Sequence, residues 1–143
     1  MAVWCSSAAG PRAVTSSHSS AMRVAGRYRV VRRQDHAVPQ IPPRPLLGKE
    51  QPLDIRVWRL AGGVEPLLLV NASRKQGRAV QRNRFRRRVR MAFLQVLRQH
   101  SHLQGSPGVV WVRPARGSAR GCPFTYQEIV GQLTLALTRW ESR

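Results

Sequence analysis

The period of apolar and polar positions changes several times along the chain, and each change marks an element. Over residues 53–60, Leu53, Ile55 and Val57 alternate with Asp54 and Arg56, the period of a half-buried strand. Ala61-Gly62-Gly63 supplies a turn, and Leu67-Leu68-Leu69-Val70 follows as a continuous apolar run. The two segments are expected to pair as an antiparallel hairpin. From about residue 79 to 99 the spacing turns helical, with Phe85, Val89, Ala92, Phe93 and Val96 on one face at intervals of three and four. Val109-Val110-Trp111-Val112 predicts a compact strand that Pro114 ends, and residues 113–123 a basic, flexible loop. Thr125-Tyr126-Gln127-Glu128 has the Thr-x-x-Glu form of a capping box, and Ile129, Leu133, Leu137 and Trp140 extend it as a closing helix.

The first third is less regular. Residues 27–38 form a short basic segment expected to make a helix of two or three turns, stopped by Pro39. Pro39, Pro42, Pro43 and Pro45 then make a stiff, extended connection. Residues 1–25 are rich in Ser, Ala and Gly, show neither period, and are expected to be a disordered tail ahead of a single domain over 26–143. A Ser-rich, acid-poor targeting presequence competes there with a tail that has no function of its own, within which Met22 offers an alternative start. The tail is favoured, because Arg12 and Arg23 are too few and too far apart to make a basic amphipathic face. The expected order is helix, strand, strand, helix, strand, helix: an α+β domain with a small mixed sheet packed with helices.

Charge adds the partner. The 143 residues hold 25 cations and 6 acids, a formal net charge of +19, and all the cations except Lys49 and Lys75 are arginine. Such an excess points to a polyanion, since neutralising phosphates releases counterions and arginine forks onto phosphate oxygens. An anionic membrane surface is the weaker alternative. No Asp or Glu lies between Glu65 and Glu128. Nine of the seventeen positions from 74 to 90 are cationic. Like charges four apart destabilise a lone helix by a few tenths of a kcal/mol per pair, roughly, so a merely solvated face would mix in acids. On a helical wheel Arg84, Arg87 and Arg88 point away from the apolar face, while Arg82, Arg86 and Arg90 rise along one flank with Asn83 nearby.

The segment Ser73-Arg74-Lys75-Gln76-Gly77-Arg78-Ala79-Val80-Gln81-Arg82-Asn83-Arg84-Phe85-Arg86-Arg87-Arg88-Val89-Arg90 resembles the signature of the bacterial ribonuclease P protein subunit. Its marks are a central Arg-Asn-Arg, a glycine five residues before it and a basic pair eight residues before it. Val112-Arg113-Pro114 and Thr125-Tyr126-x-Glu128-Ile129 are similar to further family patterns. The resemblance spans about residues 27–140. It implies a ribosomal-protein-like domain with a left-handed crossover whose signature helix contacts a catalytic RNA, and a cleft between sheet and first helix that holds the 5′ leader of precursor tRNA. Carried over by position, Ser73, Arg74, Lys75, Arg78, Arg82, Asn83, Arg84, Arg86, Arg87, Arg88 and Arg90 would bind the RNA, and Arg32, Arg33 and His36 would line the leader cleft. His36 stands where the family has a base-stacking Phe, Met91 where it has Glu, and Leu69 and Asn71 where it has Gly and Ser. The Pro-rich stretch replaces the usual end of the first helix.

Nothing in the sequence makes the chain a nuclease by itself. Six scattered acids give no carboxylate cluster for metal-dependent phosphodiester cleavage, and His18, His36, His100 and His102 lack a partner pattern for acid–base work. The resemblance implies that hydrolysis belongs to the RNA and to Mg2+ held by RNA and substrate. The expected function is therefore the protein subunit of ribonuclease P, with ribonuclease P RNA and precursor tRNA as partners, no obligate protein partner and a cytoplasmic location. A structural RNA-binding protein of ribosomal type is the alternative, and a DNA-compacting protein is disfavoured by the core face of the arginine helix. Cys5 and Cys122 have no CxxC spacing and support neither a disulfide framework nor a zinc site. No apolar run approaches the roughly 18 residues that span a bilayer.

Overall fold

The computed structural model describes residues 28–30, 43–48, 50–61, 65–105, 108–118 and 120–142. The expected disordered tail lies outside them. Within them a four-stranded mixed sheet carries two α-helices: β1 (Arg29–Val30), β2 (Leu53–Arg59), β3 (Leu67–Val70), α1 (Ala79–Gln99), β4 (Gly108–Pro114) and α2 (Tyr126–Glu141). Short 3-10 turns at Arg74–Gln76 and Ser101–Gly105 flank α1.

The strand order is β1-β3-β4-β2, which corrects the expected hairpin. β2 and β3 do not pair; β4 lies between them, antiparallel to β2 from Leu53↔Pro114 to Arg59↔Gly108 and parallel to β3 from Leu67↔Val109 to Val70↔Val112. Burial explains the arrangement. β4 is buried from Gly108 through Val112 without a break, and a strand covered on both faces belongs in the middle of a sheet. β2 alternates buried with half-buried positions and takes the edge. The parallel β3–β4 pair is joined through α1, a crossover connection.

The edge of β2 is not left open. Leu46 N donates to Ile55 O at 2.9 Å, Arg56 Nη1 donates to Pro43 O at 3.0 Å, and Arg139 Nη1 donates to Leu46 O at 3.4 Å. Prolines at 43 and 45 cannot themselves extend a ladder, so this segment caps the edge without offering a new one.

The expected helix over 27–38 does not reach Arg29–Val30, which run parallel to β3 with Arg29↔Leu67 and Val30↔Leu68. Arg29 N donates to Pro66 O at 3.1 Å. Tyr28 fixes the approach: its ring meets Phe93 edge-on at 5.1 Å and its hydroxyl donates to Arg90 O at 3.1 Å. The rest of that segment, 31–38, lies outside the described residues.

One face of the sheet (Leu53, Ile55, Val57, Leu68, Val110, Val112) packs on Phe85, Val89, Phe93 and Val96 of α1 and Ile129, Leu133 and Leu137 of α2. The predicted apolar stripes are thus the core stripes. The opposite face holds a second cluster of Leu67, Leu69, Val109 and Trp111, with Trp58 and Leu60 partly buried against it. α2 starts at the predicted box: Thr125 N donates to Glu128 Oε2 at 2.7 Å and Glu128 N donates to Thr125 Oγ1 at 3.3 Å. Donation from the Thr125 backbone N–H and from its hydroxyl holds the Glu128 carboxyl below the usual carboxylate range, where its charge also favours the helix start.

Candidate nucleic-acid interface

The signature segment folds as a 3-10 turn, a glycine and the first three turns of α1. Gln76 organises the turn. Its Oε1 accepts from Ser73 N at 2.8 Å, its Nε2 donates to Pro114 O at 3.2 Å, and its carbonyl accepts from Gly121 N at 2.7 Å. Gly77 is required at the junction: its φ is +142°, and a Cβ there would meet Gln81 Oε1 at 2.6 Å and Gly121 Cα at 3.1 Å. One turn on, Gln81 Oε1 accepts from Arg78 N at 2.9 Å and closes the N-terminus of α1.

With Phe85, Val89, Ala92, Phe93 and Val96 pointed into the core, the arginines take the remaining arc. Ser73, Arg74, Lys75, Arg78, Asn83, Arg84, Arg87 and Arg90 are exposed; Arg82 and Arg86 are half-buried on the flank. Arg86 Nη1 donates to Asn83 Oδ1 at 3.3 Å, which aligns the two on one ridge. The Nε of Arg82 is buried with no hydrogen-bond partner among the described residues. Arg88 departs from expectation. It turns back from the outward arc, and its Nη1 donates to Phe124 O at 2.7 Å, tying α1 to the segment that leads into α2. Arg32, Arg33 and His36 lie outside the described residues.

A second basic site stands on the sheet face opposite the helices. Asp54 accepts from Arg56 Nε and Nη2, both at 3.0 Å, and from Arg113 Nε at 2.7 Å. Both guanidinium groups lie over the Trp111 ring, at 5.6 and 5.1 Å from its centroid. Burial pushes the Asp54 carboxyl up, but the hydrogen bonds and charges of Arg56 and Arg113 outweigh it and hold the group below the usual carboxylate value. A carboxyl whose folded value is depressed stabilises the fold above the ordinary Asp value, and that stabilisation is lost as pH falls through the folded value. Asp54→Asn is therefore expected to cost about 1–3 kcal/mol at neutral pH. Its difference from the unsubstituted protein should shrink on acidification below the ordinary Asp value, as read by urea unfolding across pH; a difference constant down to the acid limit would contradict it.

Arg56, Arg113, Arg116, Arg120, Gln76 and Gln81 were not among the residues the sequence singled out for this surface. Arg56 sits at a polar position of an alternating strand and the others fall in a loop or at the variable positions of a signature. Only the fold sets Arg56 beside Arg113 on the sheet and brings Arg120 to the foot of the arginine helix.

A small mixed sheet backed by two helices, one of which turns an acid-free row of arginines outward, defines an α+β RNA-binding domain. A family model described as Ribonuclease P matches residues 49–138, from ahead of β2 to within α2. The chain belongs to that family: it is a ribonuclease P protein component, an RNA-binding subunit of a tRNA-processing endoribonuclease that associates with ribonuclease P RNA. No curated protein and no solved structure matches the chain. No helix among the described residues is long and apolar enough to cross a membrane.

Proposed function

We propose that the outward face of α1 and the turn before it clamp ribonuclease P RNA, and that the protein thereby helps the RNA remove the 5′ leader of precursor tRNA. The observation that carries this is the row Arg78, Arg82, Arg84, Arg87 and Arg90, laid along three turns of one helix with no carboxylate paired to it among the described residues. Its mutual repulsion is relieved by phosphates. Asn83, held by Arg86, suits a base edge or a 2′-hydroxyl.

In the same proposal the leader runs over the sheet face turned away from the helices, where the guanidinium groups of Arg56 and Arg113 lie over the Trp111 ring. Planar guanidinium groups can stack on bases as well as pair with phosphates. Arg32, Arg33 and His36 keep the roles the resemblance implies. Among the described residues no group of three His, Cys, Asp or Glu is placed to hold a metal ion. As the resemblance implies, the Mg2+ of the reaction belongs in this proposal to RNA and substrate, and the protein binds, orients and screens charge, in the cytoplasm. The leader assignment is tested by comparing precursor with mature tRNA in the reconstituted holoenzyme. Precursor should bind the more tightly, by about tenfold or more if two phosphates or stacked bases are engaged; equal affinity would refute the assignment.

A further inference from the structure

The segment that follows β4, residues 115–118 with Arg120, lies outside the arginine signature, yet it is built against it. Gly121 N and Gln76 Nε2 fasten its two ends to the 3-10 turn, and Ala115 N donates to Pro52 O at 3.0 Å on the other side. Between those tethers the chain turns tightly: Ser118 N and Oγ both donate to Ala115 O, at 3.2 and 2.8 Å, and Gly117 and Gly121 take φ of +87° and +93°. A Cβ on Gly121 would meet Gln81 Nε2 at 3.1 Å. The loop is therefore positioned by the same two glutamines that shape the start of α1.

The result is a cleft of about 500 Å3 whose cations are Lys75, Arg113, Arg116 and Arg120, with the hydroxyls of Ser73 and Ser118 between them and no acid in its wall. Lys75 and Arg120 also line the next hollow, together with Arg74 and Arg78 at the foot of α1. Arg113 is already paired with Asp54 at 2.6 Å. Arg116 and Arg120 are exposed and form no ion pair among the described residues. Two guanidinium groups without ion-pair partners and the Lys75 ammonium line one concavity with the Ser73 hydroxyl, a donor set suited to phosphate by charge and by geometry.

We infer that this loop is a second phosphate-binding site for ribonuclease P RNA, in which Arg116 and Arg120 take backbone phosphates of the strand that α1 grips and Gln76 acts as the positioning residue. The inference rests on the reading of α1 as the RNA-binding helix. It commits to the RNA subunit, not the substrate, because the cleft shares Lys75 and Arg120 with the hollow at the foot of α1.

The test uses the full chain with Arg116→Ala and Arg120→Ala together, titrated against ribonuclease P RNA over a salt series. Loss of two phosphate contacts lowers the log-log salt slope by about 1.4–1.8 and weakens binding about ten- to thirtyfold near physiological salt. The paired Arg116→Lys and Arg120→Lys variant should recover the slope, because the charge remains. An unchanged slope and affinity in the alanine variant, with its thermal unfolding unaltered, overturns the inference. So does a loss seen only with precursor tRNA, which would move the site to the substrate. An unrelated structured RNA of equal length separates the two levels. If the unsubstituted protein binds it as tightly as ribonuclease P RNA, the assignment of α1 fails, whereas a slope change confined to ribonuclease P RNA supports both.

Discussion

Replacing Arg84, Arg87 and Arg90 with alanine is expected to weaken binding of ribonuclease P RNA about a hundredfold at physiological salt and to flatten the log-log salt dependence by about 2–3. All three are exposed and stand on the arc of α1 that faces away from Phe85, Val89 and Phe93. Their removal takes charge from the surface and almost nothing from the core, and relief of like-charge repulsion should leave thermal unfolding unchanged or slightly higher. Arg88→Ala is the internal control. It is one residue from Arg87 in sequence, but its guanidinium serves the Phe124 carbonyl, and truncation leaves that acceptor unpaired at a cost of about 1–3 kcal/mol. The triple variant should therefore lose RNA affinity without stability, and Arg88→Ala the reverse. Filter binding over a salt series, with thermal melts on the same samples, reads both. Equal loss of RNA affinity in the two would mean that the arginines act as undifferentiated charge.

Phe93→Ala is expected to cost about 3–5 kcal/mol, a large fraction of the roughly 5–15 kcal/mol available to a small domain. Phe93 is fully buried between sheet and helices and is also the ring on which Tyr28 packs edge-on. The substitution opens a cavity in the core and releases the contact that brings β1 to the sheet edge. Burial raises the Tyr28 hydroxyl above its ordinary value, against the lowering effect of Arg90, so a ring that comes loose should ionise at lower pH. Urea unfolding gives the stability, and ultraviolet titration of tyrosine gives the second effect. A loss under about 1 kcal/mol would place Phe93 outside the core.

The helices were readable in sequence because their signals are local. Phe85, Val89 and Val96 recur at three and four, and Thr125 with Glu128 states a helix start in four residues. The arginine face followed from the same periodicity. Strand order did not, because alternation in β2 and the apolar run in β3 say how deeply each strand is buried and not which strand lies beside it. The unbroken run Val109–Val112 is the one sequence sign of a central strand, and it names no neighbour for that strand. Gln76 and Arg88 escaped for a related reason: their partners, Pro114, Gly121 and Phe124, are more than thirty residues away in sequence.

The candidate site divides along the same line. The α1 side chains came from the signature, whereas the pairing of Asp54 with Arg56 and Arg113 depends on the β2–β4 register that sets Asp54 opposite Arg113. In the proposed function the domain has separate grips, one for an RNA on the helix and one for a strand on the sheet.

The most direct measurement is reconstitution of the full chain with a bacterial ribonuclease P RNA at a magnesium concentration too low for the RNA to act efficiently alone. The protein should restore 5′ processing of precursor tRNA, and the Arg84, Arg87 and Arg90 triple alanine variant should need on the order of a hundredfold more protein to do so. No stimulation by the unsubstituted protein at saturating concentration would contradict the account.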